Sequence, residues 1–313
     1  MDLSQKRYRP LAAYLKERFG EKVFKVSLNA GFTCPNIDGT KGRGGCTFCS
    51  PLGSGDFAGN KKDDLYTQFH AIKDMMHKKW PKAKYIPYFQ AFSNTYAPVE
   101  ELKTIYEKFV NYDPNIVAIA IATRPDCLPD DVVDYLGELN TRIPLIVELG
   151  LQTIHEETAK RINRGHDFQT FVEGVQKLRE RKIETVVHII NGLPGETPEM
   201  MLETAEALAT LDIQGIKIHM LHVIKHTWMG IQYQRQPFPL LSMEEYVDLV
   251  IRQLEVLPPH LVIHRLTGDA KREDLIAPEW TLKKWVTLNA IDHEMQRRDT
   301  YQGRRYKGVS TWS

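Results

Sequence analysis

Three of the four cysteines in this 313-residue chain fall within sixteen residues, in "CPNIDGTKGRGGCTFC". Cys34, Cys46 and Cys49 read C-x11-C-x2-C. The x2 spacing lets two thiolates converge on one metal centre, and a long glycine-rich loop can fold the third back beside them. The residues alone leave three readings: buried structural thiols, a zinc site, or an iron–sulfur cluster with three protein ligands and one open iron. The first is disfavoured because "GTKGRGG" is a solvated segment with no core around it. A structural zinc site wants four closed ligands, and Cys127 is the only further cysteine, far along the chain. Other polar residues interrupt apolar runs. Glu148 stands in "PLIVELGLQ", where a carboxylate is costly without a partner. His188 stands in "ETVVHIING", and Lys217, His219 and His222 cluster in "KIHMLHVIKHT".

These residues need elements to position them. Apolar runs at 23–29, 84–92, 115–123, 144–152, 184–192 and 215–223 alternate with helical stretches at 63–80, 98–109, 128–140, up to Lys182, 197–211 and from Met243. The runs are rich in Val and Ile and lack clean alternation, which suits parallel strands buried on both faces. Six βα units of roughly thirty residues argue for an α/β barrel or open parallel sheet, with reactive groups at the C-terminal strand ends. Three segments are expected: a helical lead-in over 1–22, the βα core over 23–265, and a helical extension over 266–313. The charge is balanced, 41 Lys and Arg against 40 Asp and Glu, so no global field announces a polyanionic partner. No run has the length of a signal peptide core or a membrane span, and four cysteines make no disulfide framework. A cytoplasmic protein with reduced thiols and no membrane partner is expected.

The cysteine loop resembles that of the radical S-adenosylmethionine (SAM) superfamily, although the usual first gap there is x3. Long first gaps occur in the branch with the radical-SAM subunit of Elongator-type tRNA-modifying enzymes. The resemblance runs over roughly residues 20 to 265, through "FQAFSNTYAP", "ELGLQT" with "NRGH", and "HIINGLPGET". It implies a partial (β/α)6 TIM-like barrel with parallel strands and a C-terminal helical extension. It further implies that Cys34, Cys46 and Cys49 hold a [4Fe–4S] cluster, with SAM on the open iron. Phe48 would then pack near adenine. Gln90, Ser93 and Asn94 stand where a glycine-rich turn takes the amino group of SAM. Glu148, Gln152, Arg164 and His188 fall on the cofactor side, with Gln152 and His188 at the ribose and Arg164 on the SAM carboxylate. Lys217, His219 and His222 are left on the substrate side.

The flanks speak to the substrate. Near the C-terminus, Arg297, Arg298, Arg304, Arg305 and Lys307 outweigh Asp299, with Tyr301 and Tyr306 interleaved. Such a mixture suits phosphates and an unpaired base, or is a plain solvated tail. The chain as a whole resembles the compact YtqA/YhcC-type bacterial group of the superfamily. That resemblance implies tRNA as substrate, at the step from 5-carboxymethylaminomethyl-uridine to 5-aminomethyl-uridine in the wobble position, with an electron donor such as flavodoxin or ferredoxin. A radical SAM enzyme acting on a small metabolite or a protein is the enzymatic alternative. A zinc-stabilised RNA-binding module is the non-catalytic one.

Overall fold

The computed structural model describes residues 6–308, so the two ends of the expected flanking segments, 1–5 and 309–313, lie outside the described residues. The sheet strands are β1 (Val23–Leu28), β2 (Lys84–Phe89), β3 (Ile119–Thr123), β4 (Leu145–Gln152), β5 (Glu184–Asn191), β6 (Gly215–Met220) and β8 (Val262–Arg265). They run in the order β1-β2-β3-β4-β5-β6-β8, every neighbouring pair parallel, as a curled half-barrel. A short antiparallel pair, β7 (Val223–Ile224) with β9 (Leu275–Ala277), sits apart. The half-barrel therefore has seven strands, one more than the six expected. "VIHR" escaped notice because it is four residues long and its second half is polar.

Helices α2 (Leu65–His77), α3 (Val99–Tyr106), α4 (Asp130–Arg142), α6 (Phe168–Glu180), α7 (Pro198–Leu208) and α9 (Met243–Val256) connect the strands, with short α5 (Glu156–Arg161) and α8 (Trp228–Arg235) on the loops after β4 and β7. Their starts follow local chemistry: Asp64, Asp167, Thr197 and Ser242 each accept backbone N–H groups of the first turn. The strands' outer side chains, such as Phe24, Val26, Phe89, Val147, Val187 and Ile218, form the main core. Pro87 stands in the middle of β2, and there the β2–β3 ladder carries only the pairs Tyr88–Ala120 and Phe89–Ile121. A proline has no N–H to give a second neighbour, so it sits where pairing lapses.

The inner faces position the chemistry. Helix α1 (Leu11–Phe19) closes the end where the strands begin, Leu15 packing with Val23, Ile86, Ala118, Ile146 and Val186. Side chains two residues on share a strand's face. The next inward layer is therefore Lys25, Tyr88, Ala120, Glu148 and His188, joined by Lys217 two residues after Gly215. An apolar plug gives way to a charged layer in one step. Helix α10 (Lys284–Arg297) packs on α9. No helix among the described residues is long and apolar enough to cross a membrane.

Candidate active site

Glu148 is the centre of the charged layer, its side chain fully buried. One carboxylate oxygen accepts from the Lys25 ammonium. The other accepts from Tyr88 Oη at 2.8 Å, His188 Nε2 at 2.7 Å and the Lys217 ammonium. The partner that a buried carboxylate demands is thus a set of four donors. Burial alone would raise the Glu148 carboxyl, but Lys217, Lys25 and His188 outweigh it and hold it well below the usual range. Burial, with Lys25 close by, brings the Lys217 ammonium down to about 7 against the pull of Glu148. Burial and Lys217 likewise hold the His188 imidazole down to about 4.

Towards the mouth the interior stays polar. The His219 ring lies 5.3 Å from that of His188. Nε2 of His219 and Nε2 of His222 are buried there without a hydrogen-bond partner, and so are both ring nitrogens of His264, which sits lower, against Gly215 at the level of the apolar plug. Burial keeps the imidazoles of His219 and His264 neutral, and that of His222 down to about 4. Beside them Arg265 and Lys284 both bind Asp269, at 3.1 and 2.9 Å. Orphaned imidazole nitrogens are a standing capacity for an external acceptor or donor.

The cysteine loop covers this mouth after β1. Its three cysteines form no disulfide. Burial first, then the charge of Cys46, pushes Cys49 up to about 12; burial likewise raises Cys46, with Cys34 adding to it and Arg124 opposing. Among the described residues no three Cys, His, Asp or Glu side chains already stand in metal-ligating geometry. The thiols are nevertheless gathered on one loop and feel one another's charge. Three such thiols, each giving up its proton on binding, suit a cationic metal centre that takes three of them and keeps one position open.

The loop is clasped by the segment after α5. Thr47 N–H donates to Ile162 O at 2.9 Å, Asn163 Nδ2 to Gly45 O at 2.7 Å, and Asn36 Nδ2 to Asn163 O at 2.5 Å. Arg124 forks onto Asp126 at 2.9 Å and donates to Arg164 O at 2.8 Å. Gly165 (φ +81°) is required here, because a Cβ would come 2.9 Å from Asn36 Oδ1. The motif "NRGH" is thus the brace of the cysteine loop.

Several of the expected residues also make contacts within the fold. Arg164 was expected to reach a carboxylate in the mouth. Its side chain is fully buried, donating to the carbonyls of Leu151, Thr153 and His166, while Nη2 makes no hydrogen bond and stands 3.7 Å from a Glu156 carboxylate oxygen. Asn94 is buried and donates to Phe89 O at 3.1 Å and Ala122 O at 2.8 Å, tying β2 to β3 rather than facing the mouth. Ser93 is buried beside it. Gln90 is half-buried, and its Nε2 donates to Ser54 O at 2.8 Å. Gln152 ends β4 with φ +64°, strain of the kind that gathers at functional sites. Phe48 packs with Ile162, Leu193 and Ile190 at the mouth. Sequence reading missed Lys25, Tyr88, Asn36 and Arg124. Counting two residues on from the plug positions Val23 and Ile86 would have found the first two.

The basic tail is also placed unexpectedly. Gly303 N–H donates to Leu254 O and Arg305 N–H to Glu255 O, while Gln302 Nε2 holds the carbonyls of Pro258 and Leu261, just before β8. That is the end where strands begin, opposite the cysteine loop. Arg297 and Arg298 pair with Glu294, Arg298 also with Asp248, and Arg305 with Glu255. Neighbouring carboxylates answer most of the local excess of charge.

A half-barrel with a three-thiol loop over a polar interior is an α/β fold with the donor set for a metal centre at its mouth. The chain matches the family model "Radical SAM superfamily" over residues 37–208 and "Radical_SAM C-terminal domain" over 213–297. This chain belongs to the radical SAM superfamily, whose cofactors are a [4Fe–4S] cluster and SAM. It is 58% identical over 304 residues to YtqA of Bacillus subtilis, covering 97% of this chain and 94% of that protein. Over 157 residues, 49% of this chain and 29% of the relative, it is 27% identical to the tRNA uridine(34) acetyltransferase of Methanocaldococcus infernus. The solved structure of M. infernus Elp3 superposes with a TM-score of 0.64 at 18% identity, over 90% of this chain and 64% of the other, and so shares the fold.

Proposed function

We propose that this radical SAM enzyme modifies the wobble uridine of tRNA, at the step from 5-carboxymethylaminomethyl-uridine to 5-aminomethyl-uridine. The observation that carries the reading is the polar interior towards the mouth, where Lys217 is held by Glu148 and the Nε2 atoms of His219 and His222 are buried without a hydrogen-bond partner. Likeness to a protein named for tRNA uridine(34) supports the substrate class. Cys34, Cys46 and Cys49 would hold a [4Fe–4S] cluster, which with SAM and an electron donor such as flavodoxin or ferredoxin would supply a 5′-deoxyadenosyl radical at this mouth. Phe48, Gln90 and Gln152 line the cofactor side, and Arg164 serves it by fixing the loop after β4. Glu148 holds Lys217 and His188 in place from below. The Lys217 ammonium attracts the carboxylate of the substrate arm, and the neutral imidazoles of His219 and His222 hydrogen-bond the base or exchange protons with its amine. Work in the cytoplasm follows from a tRNA substrate.

The test is anaerobic turnover of reconstituted enzyme with SAM, a reductant and tRNA carrying the carboxymethylaminomethyl group. Formation of 5′-deoxyadenosine should rise when that tRNA is added, and the aminomethyl nucleoside should accumulate. Equal 5′-deoxyadenosine with and without tRNA, and an unchanged nucleoside, would return the choice to a metabolite or protein substrate.

A further inference from the structure

Helix α8 carries Trp228, Ile231, Gln232 and Arg235 at i, i+3, i+4 and i+7, one face of a helix. That face is not turned into the core: Trp228 is 58% exposed and Ile231 38%. It borders a cavity of about 520 Å³ against the cysteine loop, whose Arg43 and Gly44 also line it. The helix is fixed there, since Met229 N–H donates to Thr47 O at 2.8 Å and Thr227 Oγ1 caps Gly230 N–H at 2.9 Å. The indole edge lies on Gly44 (φ +81°), where a Cβ would come 3.1 Å from Trp228 Nε1.

No acidic side chain lines the cavity. Among the described residues, neither Arg43 nor Arg235 has a carboxylate within 4.0 Å, unlike Arg297, Arg298 and Arg305 in the tail. The volume lies in the range of small-ligand pockets, roughly 300–1,000 Å³. An aromatic platform, an apolar neighbour and two uncompensated guanidinium groups around such a hollow match one unpaired base with its flanking phosphates. A folded acidic protein would need a broad contact rather than a hollow of this size.

We propose that Trp228, Ile231, Arg43 and Arg235 form a binding site for an unpaired nucleotide of RNA, at the rim of the mouth. The base stacks on Trp228 and the arginines hold phosphate oxygens. This rests on the tRNA reading of the substrate, and it moves the RNA contact from the tail to the rim.

The experiment is fluorescence anisotropy of a labelled anticodon stem–loop RNA on the full-length, anaerobically reconstituted chain, across a series of salt concentrations. Trp228→Ala weakens binding roughly 5- to 150-fold, the alanine-substitution effect for one stacked base, whereas Trp228→Phe keeps most of the affinity. Arg43→Gln with Arg235→Gln makes the slope of log K against log salt shallower by about 1.4, two single-strand phosphate contacts. Melting by circular dichroism checks that each variant folds. If the parent chain binds the RNA and a folded Trp228→Ala binds it equally well, the site is refuted while the tRNA reading stands. If Trp228→Ala leaves RNA binding intact but slows reduction by flavodoxin, the surface belongs to an acidic electron carrier and the proposal is refuted. A parent chain that binds no RNA removes the tRNA reading, and this site with it.

Discussion

At the scale of single residues, the central device is one carboxylate shared by four donors. Removing it leaves two ammonium groups buried against each other, so Glu148→Gln should cost about 3–5 kcal/mol in denaturant unfolding; a loss below about 1 kcal/mol would contradict the hub. Glu148 and Lys217 shift stability with pH in opposite ways. The Glu148 carboxyl is held below its ordinary 4.5, so its contribution is present above that value and fades as the folded form takes up its proton in acid. Lys217 gives up its proton near 7 in the folded chain but near 10.5 when unfolded, so its cost, full below about 7, is relieved as pH rises to 10.5. In turnover the ammonium form is the useful one. KM for tRNA should therefore rise as pH passes through about 7, and Lys217→Gln should abolish that limb. Each of Cys34→Ala, Cys46→Ala and Cys49→Ala should end 5′-deoxyadenosine formation with the fold intact; a variant that still makes it would remove that thiol from the set. Glu148 was legible in the sequence as a carboxylate in need of a partner, but not the partners themselves. They come from other strands, and only the register brings them together.

At the scale of elements, the cysteine loop depends on the chain after α5. Asn36 and Asn163 each answer carbonyls of the opposite segment. Asn163→Ala should cost about 1–3 kcal/mol by leaving the Gly45 carbonyl unanswered. It should also lower iron retention after desalting, with SAM cleavage falling in proportion. Gly165→Ala should do the same more severely, because the backbone is left-handed there and the new Cβ meets Asn36. Unchanged iron content in both variants would show that the clasp is dispensable. The motif "NRGH" stood out in the sequence for its arginine, yet its work in the structure is done by Asn163, by backbone carbonyls and by Gly165. Loops that brace loops leave no periodic signal, so this contact was beyond sequence reading. The six longer strands and their helices were legible because apolar runs and capping residues announce them; β8 was too short and too polar to do so.

At the scale of the whole molecule, the half-barrel has a closed end and a working end. Helix α1 and the tail occupy the closed end, where Gln302 ties Arg9 to the carbonyls before β8. Gln302→Ala should therefore cost about 1–3 kcal/mol in thermal or urea unfolding, the penalty of unanswered buried groups. Arg304→Ala with Arg305→Ala should change stability by less than about 1 kcal/mol, since Arg305 is exposed and stands 3.6 Å from Glu255, a long pair. RNA affinity should not change in that double variant. Composition had drawn attention to the tail because charge is easily counted, whereas its place opposite the mouth is a property of the fold. The claim that joins all three scales is that the mouth works on wobble uridine. Mass spectrometry of tRNA nucleosides from cells with and without this gene tests it most directly. The deletion strain should accumulate 5-carboxymethylaminomethyl-uridine species and lose the aminomethyl forms. An identical nucleoside profile in the two strains would contradict the wobble-uridine assignment.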